Sequence, residues 1–452
     1  MQMKHIKPLL LGLSLLFSGT AQAYDWESDL KHRLLCDFTQ NRQEVLTYIR
    51  QYMPDATDAQ IARWEASGAL ECMDIDGEKR YFSLAGRNLF RIDPLCRKVW
   101  NEKAGSNDFY AANEEADIRD IPQILCLAPE HPQHIALSRR VRVTYTLTVQ
   151  PDAVPAGQVV RCWLPFPRRD HARQTDVRLL SASQPRYKIA KPNVAHSSLY
   201  MEQKAVAGQP VTFSECFEFT AHGAWFDLSA VKPYDTSSRL YREFTSEREQ
   251  HVRFTPELRA LADSLTKDID HPAEKAKAIF TYINDHFPWA SAREYSTIPN
   301  IPMYVLQNRH GDCGQVSLLF ITLCRICGIP AHFQSGWQVH PGAVNLHDWS
   351  EIYLEGIGWV PVDQSYGIPS YAKDEQQRYF FLGGIDSWRL IVNADFGKDF
   401  SPKKKFPRSE TVDFQRGEVE WKDGNLYFDQ WDYDIQVEYL DEDSPASPKP
   451  GA

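Results

Sequence analysis

Residues 311–331 read GDCGQVSLLFITLCRICGIPA and contain the strongest structural signal in the chain. A cysteine between two glycines precedes apolar residues that recur with helical spacing, and Gly328 with Pro330 ends the pattern. This predicts a helix that begins near Cys313. At the start of a helix, unpaired amide groups and the macrodipole favour a thiolate over a thiol. The sequence therefore predicts Cys313 as a nucleophile. The apolar positions of the helix are Val316, Leu319, Phe320, Leu323 and Cys327.

His347 and Asp363, which both lie downstream of this helix, can complete a catalytic site. His347 precedes a predicted strand over 348–354, and Asp363 ends the next predicted strand. Since neighbouring strands lie only ~5 Å apart, a carboxylate there can hold the imidazole in the tautomer that thiol hydrolases need. An even loop of four residues would place His347 and Asp363 on opposite faces of the hairpin. A catalytic triad of Cys313, His347 and Asp363 therefore requires that the loop of this hairpin has an odd number of residues or that the hairpin contains a bulge.

These motifs, in this order, resemble the core of the transglutaminase-like superfamily over about residues 270–370. The resemblance implies a papain-like fold with Cys313 as nucleophile, His347 as general base and Asp363 as the residue that orients the histidine. The family includes transamidating enzymes, peptidases, amidases and inactive members, so it leaves the substrate open. The matching runs are GDCG at 311–314, RICGIPA at 325–331, HDWSE at 347–351 and GWVPVD at 358–363.

The same resemblance points to an oxyanion donor upstream of the cysteine. The family often places an aromatic or amide side chain there, beside the amide of the cysteine itself. Trp289 and Tyr295 are the candidates, because an N–H or O–H group can match the charge that develops on a tetrahedral intermediate. The alternative is that each is a packed aromatic side chain.

The chain as a whole is predicted to be an α+β protein. Alternating apolar residues over 141–149 indicate strands in the middle of the chain, and 3.6-residue periodicity indicates helices around it. We predict a signal peptide over 1–23, a mainly helical N-terminal domain over 24–135, a β-sandwich-like domain over 136–235, a transglutaminase-like core over 236–370, a β-rich C-terminal extension over 371–440 and a disordered tail over 441–452.

The first 23 residues predict export. Lys4 and Lys7 precede an apolar run over 9–17, and small residues end the segment at Ala23, as in secretory signal peptides. No later stretch approaches the ~20 apolar residues of a membrane helix. We therefore expect a soluble periplasmic or extracellular protein without a membrane span.

The overall charge argues against nucleic acid as a partner. Fifty basic and sixty acidic side chains give a net charge of −10 over 452 residues, and this charge repels a phosphate backbone. The expected partner is a peptide or protein substrate. The sequence does not predict an oligomeric state.

Nine cysteines leave at least one thiol unpaired, and the sequence does not decide between disulfides and buried thiols. Cys324 and Cys327, with His332 and His340 nearby, could suggest zinc, but both cysteines fall inside the predicted helix, which favours core packing. Two acidic stretches, 74–78 and 393–399, are poor matches to a calcium loop. We predict no metal and no cofactor.

Three functions are consistent with these observations. The first is hydrolysis of an amide or peptide bond through a thioacyl intermediate, as in a peptidase, amidase or deamidase. Transamidation of protein glutamine is the close alternative. The third, of another class, is a binding or scaffold protein that keeps the core without using its chemistry.

Overall fold

The computed structural model describes residues 24–104 and 111–441. The predicted signal peptide lies outside the described residues, as does the predicted tail beyond Asp441. The architecture is mixed α+β with several antiparallel sheets, as predicted. Among the described helices, none combines the length and the apolar character needed to cross a bilayer.

The first half of the described chain contains the N-terminal helices and the first eight strands. Asn41 and Thr57 begin two of the helices with capping boxes. Asp76 and Gly77 both have positive φ and form the turn of the predicted hairpin. The elements are α1 (Trp26–Asp37), α2 (Arg42–Tyr52), α3 (Asp58–Ala66), β1 (Cys72–Ile75), β2 (Glu78–Tyr81), α4 (Ala85–Ile92), α5 (Pro94–Ala104), α6 (Ala111–Leu127), β3 (Ile135–Val149), β4 (Val159–Pro165), β5 (Gln174–Ala182), β6 (Tyr187–Ile189), β7 (Ser198–Lys204) and β8 (Val211–Trp225).

The second part contains the segment with the catalytic motifs. Its helices precede a group of strands, and further short strands follow them. The elements are α7 (Arg239–Phe244), α8 (Pro256–Thr266), α9 (Pro272–His286), α10 (Ile301–Asn308), α11 (Cys313–Ile326), β9 (Ala331–His340), β10 (Ala343–Leu354), β11 (Gly358–Val362), α12 (Glu375–Arg378), β12 (Gly384–Ile385), β13 (Arg389–Asn393), β14 (Glu418–Trp421), β15 (Gly424–Leu426) and β16 (Trp431–Tyr439).

Two antiparallel sheets form the middle of the molecule. One has the order β12-β8-β3-β16 with β5 also paired to β8, and the other has the order β15-β14-β4-β7-β6. Buried side chains from both sheets share one hydrophobic core, as in a sandwich. Strands β14 and β16 come from the predicted C-terminal extension and pair with β4 and β3. The end of the chain therefore adds strands to both sheets.

The segment with the catalytic motifs packs a helix against a third sheet. This antiparallel sheet has the order β11-β10-β9-β13. The predicted helix forms as α11, and it is buried continuously over residues 314–325. Such a helix is apolar on every side because other elements surround it. The packing fixes Cys313, at the N-terminus of α11, relative to the strands that carry His347 and Asp363.

The β10–β11 hairpin confirms the predicted register. Leu354 pairs with Gly358, so the loop consists of the three residues 355–357. Since the loop is odd, His347 and Asp363 lie on the same face of the sheet.

Candidate active site

The first turn of α11 is built to hold a cysteine in a confined space. Asp312 caps the helix: its Oδ1 accepts from the Gln315 amide at 3.0 Å, and the Gln315 side chain accepts from the Asp312 amide at 3.2 Å. A Cβ at Gly314 would collide with the Tyr295 hydroxyl and the Asp348 carboxylate. Glycine is therefore needed beside Cys313 because two side chains approach the helix closely.

The predicted histidine and aspartate are in direct contact. His347 Nε2 lies 2.7 Å from Asp363 Oδ2, and the two residues are 4% and 0% exposed. Asp363 Oδ1 also accepts from the amides of Ser365 and Tyr366. The structure thus brings together two of the three residues predicted as a triad.

The protonation states of this pair follow from its surroundings. Burial alone would raise the pKa of Asp363, but the charges of His347 and Arg389 outweigh it and hold the pKa well below its usual range. Burial lowers the pKa of His347, and the attraction of Asp363 offsets this only in part. Since an ionised Asp363 can only accept a hydrogen bond, His347 Nε2 donates to it. The lone pair of Nδ1 is then available to act as a base.

Arg389 anchors Asp363 from the other side and was not predicted from the sequence. Its Nη1 donates to Asp363 Oδ2 at 2.8 Å, and its Nε donates to Asp386 Oδ2 at 2.8 Å. All three side chains are almost fully buried. A single arginine inside the otherwise apolar run 388–392 is the signal that could have identified it, because an isolated buried cation needs anionic partners.

A second group of acidic side chains surrounds the thiol. Cys313 donates to Asp348 Oδ2 with an S–O distance of 3.3 Å. The Tyr295 hydroxyl donates to Asp312 Oδ1 at 2.8 Å and also approaches Asp348 Oδ2 at 3.4 Å. The nucleophile therefore lies between two carboxyl groups that share a tyrosine.

These carboxyl groups oppose ionisation of the thiol. Burial raises the pKa of the Cys313 thiol well above its ordinary value, and Asp348 and Asp312 raise it further. Burial also raises the pKa of Asp348 well above its usual range and that of Asp312 to about 6. The helix N-terminus was predicted to favour the thiolate, but burial and the neighbouring carboxyl groups outweigh its contribution.

Gln415, in the C-terminal part of the chain, links the residues around His347 to those around Cys313. Its side-chain amide donates to the carbonyl of His347 at 2.9 Å and to Asp348 Oδ1 at 2.8 Å. Its own carbonyl accepts from the Trp337 indole at 2.9 Å. Gln415 is thus a positioning residue for β10, and it lies too far along the chain for local sequence patterns to reveal it.

Two cavities share Cys313 in their walls. The first, of about 360 Å³, also includes His347 and several aromatic side chains. The second, of about 240 Å³, is rich in carboxyl groups. Both include Trp289, Asn345 and Leu346. The other aromatic residues of the first are Tyr366, Tyr371 and Phe381; the carboxyl groups of the second are Glu294, Asp312, Asp348 and Asp413.

The two oxyanion candidates differ in position. Trp289 lines both cavities, and a parallel bridge to Gly311 places its backbone beside the short segment that leads to Cys313. Tyr295 is buried, and its hydroxyl is already engaged by Asp312 and Asp348. The contacts therefore favour Trp289 as the donor, while Tyr295 holds the carboxyl groups.

The other sulfur and acidic sites considered from the sequence have structural partners. All nine cysteines are free thiols. Cys324 is buried in the core, Cys327 lies 3.3 Å from the Thr266 hydroxyl, and His332 forms an ion pair with Glu351. Asp395, one of the weak calcium candidates, pairs with Arg248. His340 lies apart from both cysteines, among buried carboxyl groups.

Comparisons with known proteins agree with this geometry. Residues 259–364 match the model of the transglutaminase-like superfamily. The uncharacterized protein YebA of Bacillus subtilis is 27% identical over 135 residues, which cover 26% of this chain and 18% of YebA. The chain thus corresponds to less than a fifth of that relative.

Two solved structures show distant similarity. A protein from Cytophaga hutchinsonii, provisionally named a cysteine protease, is 13% identical with a TM-score of 0.47, and the match covers 69% of this chain and 94% of that one. The periplasmic domain of TgpA from Pseudomonas aeruginosa is 18% identical with a TM-score of 0.28, covering 52% and 74%. Both scores are below 0.5, so the assignment depends on the family match. Residues 259–364 form a core of the transglutaminase-like superfamily.

Proposed function

We propose that the protein is an exported cysteine enzyme that hydrolyses an amide or peptide bond by a Cys-His-Asp thioacyl mechanism. The observation that carries the proposal is the contact between His347 and Asp363 beside a cavity that also contains Cys313. The export part depends on the sequence of residues 1–23, and the site of action is the periplasm or the exterior of the cell. The division into domains predicted from the sequence is part of the same proposal.

The reaction follows from the protonation states. His347 Nδ1 takes the thiol proton while Cys313 Sγ attacks the carbonyl carbon. The Cys313 amide and the Trp289 side chain donate to the oxyanion. His347 then returns the proton to the leaving nitrogen, which departs as ammonia or an amine and leaves a thioester. A water molecule, deprotonated by His347, attacks the thioester and releases the acid and the thiol.

Asp363 and Arg389 support this cycle without contacting the substrate. The imidazolium that forms at His347 faces an ionised Asp363, so its charge is matched when it appears. Arg389 keeps Asp363 ionised and fixed in position, because its buried guanidinium binds both Asp363 and Asp386.

The test is a screen of the purified mature protein against a peptide and amide library, with released ammonia and new amines as the readout. We expect turnover by the wild type, none by Cys313→Ala, and full turnover by Cys126→Ala, which removes an exposed thiol. Turnover by Cys313→Ala equal to that of the wild type would falsify the mechanism. No turnover by any protein, with Cys313 no more reactive than other thiols, would favour a non-catalytic scaffold.

The second cavity favours transamidation as the alternative. Four carboxyl groups and two arginines line this cavity beside the nucleophile. Carboxyl oxygens can accept hydrogen bonds from an amine, and an amine is the acyl acceptor in transamidation. Repeating the assay with a labelled primary amine separates the two reactions. Incorporation of label at the expense of free acid establishes transamidation, and unchanged acid release establishes hydrolysis.

A further inference from the structure

A buried histidine beside the first cavity lacks the hydrogen bonds that its position requires. His340, at the end of β9, is 0% exposed. Within the part of the chain that the structure describes, neither of its ring nitrogens has a hydrogen-bond partner. Burying an imidazole without a partner is costly, because the ring loses its hydrogen bonds to water and gains none in return. A group outside the described residues, such as a bound ion, would have to satisfy it.

Two buried carboxylates face the same nitrogen. His340 Nε2 lies 3.7 Å from Asp117 Oδ1 and 3.7 Å from Asp386 Oδ1. Both distances exceed the ~2.7–3.2 Å of an N–H···O hydrogen bond. Asp117 Oδ1 is itself buried and, among the described residues, has no hydrogen-bond partner. Three ligand atoms from α6, β9 and the segment before β13 therefore surround one point.

The spacing fits a metal ion of the first transition row. Zinc binds histidine nitrogen and carboxylate oxygen at ~2.0–2.2 Å, so two ligands at a tetrahedral angle lie roughly 3.3–3.6 Å apart. The observed 3.7 Å needs only a small inward shift. A nitrogen ligand with two carboxylates favours such ions over magnesium or calcium, which prefer oxygen alone.

The remaining contacts hold the carboxylates in place. Asp117 Oδ2 accepts from the Tyr371 hydroxyl at 3.2 Å. Asp386 Oδ2 is bound by Arg389, and Asp386 Oδ1 accepts from the Trp388 amide at 2.8 Å. Among the described contacts, Asp117 Oδ1 and the second lone pair of Asp386 Oδ1 remain for a ligand near His340. Asp117 also lines the first cavity, which supplies an entry path and an open fourth position.

We propose that Asp117, His340 and Asp386 form a binding site for one divalent transition-metal ion, with zinc as its probe. The site is linked to the proposed triad through Arg389, which binds both Asp386 and Asp363. It does not depend on the proposed function, because its occupancy is measured without any substrate.

The experiment titrates zinc into chelator-stripped, reduced full-length mature protein by calorimetry. We expect one equivalent bound to the wild type and an affinity reduced more than ~100-fold in Asp117→Asn, which keeps the shape of the side chain. Cys313→Ser and His32→Ala should bind like the wild type. The first excludes the active-site thiol as a ligand, and the second excludes the exposed group of His32, Cys36 and Asp429.

X-ray absorption of the one-to-one zinc complex provides a readout that needs no variant. The proposal predicts only nitrogen and oxygen ligands at ~2.0–2.1 Å, whereas a thiolate site shows sulfur at ~2.3 Å. Sulfur in the spectrum, equal binding by Asp117→Asn, or no binding by the wild type would each overturn the proposal. In the last case, a protonated imidazole or an ordered water would account for the cluster.

Discussion

The two halves of the candidate active site solve opposite electrostatic problems. Around His347 the charges are matched, because Asp363 is flanked by the imidazole and by Arg389. Around Cys313 they are not, because Asp348 and Asp312 lie near the thiol and raise its pKa. His347 can therefore accept a proton, while the thiol of Cys313 is held in its protonated form. Under the proposed mechanism, this difference teaches that ionisation of the sulfur accompanies the attack on substrate and does not precede it.

The largest effect is expected when the carboxylate that pairs with His347 is removed. In Asp363→Asn the carboxylate that pairs with His347 is lost while Arg389 remains nearby, so the imidazolium is disfavoured. We expect turnover of a substrate found by the ammonia screen to fall by a factor on the order of 10³–10⁴. The exposed Asp432→Asn on β16 is the control and should keep full turnover. A loss of less than about tenfold would show that His347 does not need Asp363.

Removing the Arg389 cation tests the surroundings of His347 through the free energy of unfolding. Arg389→Met leaves Asp363 and Asp386 buried without their cation, which we expect to lower the free energy of unfolding by about 3–5 kcal/mol. Urea denaturation followed by circular dichroism measures the change. Arg178→Met, which removes an exposed arginine paired with Glu218, should cost less than about 1 kcal/mol. Equal losses in the two variants would contradict the charge-matching argument.

The smallest effect is expected from a change in the carboxyl groups around Cys313. In Asp348→Asn the carboxyl group that accepts from the thiol is replaced by an amide, which can donate to a thiolate, so the pKa of Cys313 should fall. Each unit of decrease raises the thiolate fraction about tenfold at pH values below both pKa values.

Alkylation by iodoacetamide as a function of pH, followed by mass spectrometry of the Cys313 peptide, measures this shift. The curve for Cys313 should move to lower pH, while the peptide with Cys126 in the same sample keeps its curve. An unchanged or higher apparent pKa would show that Asp348 does not hold the proton on the sulfur.

The sequence predicted those parts of the site that depend on local pattern. The helix beginning at Cys313 follows from apolar spacing, and the odd hairpin loop follows from the requirement that His347 and Asp363 share a face. Arg389, Gln415 and Asp386 escaped prediction because their contacts depend on how distant segments pack. No periodicity in a single sequence records such contacts.

The strands also show what a local sequence pattern cannot predict. Alternation over 141–149 identified β3. That β14 and β16 belong to separate sheets of the sandwich depends on pairing over more than 250 residues. Alternation indicates that a strand exists, but it does not specify the partner of that strand.

The hydrogen bonds of Gln415 have a consequence for biogenesis. Because this side chain fixes the backbone at His347 and the carboxyl of Asp348, the catalytic hairpin acquires its final geometry only after the last hundred residues have docked. A chain that ends before Gln415 would lack both hydrogen bonds, so the hairpin that carries His347 does not reach the geometry described here through its own contacts alone.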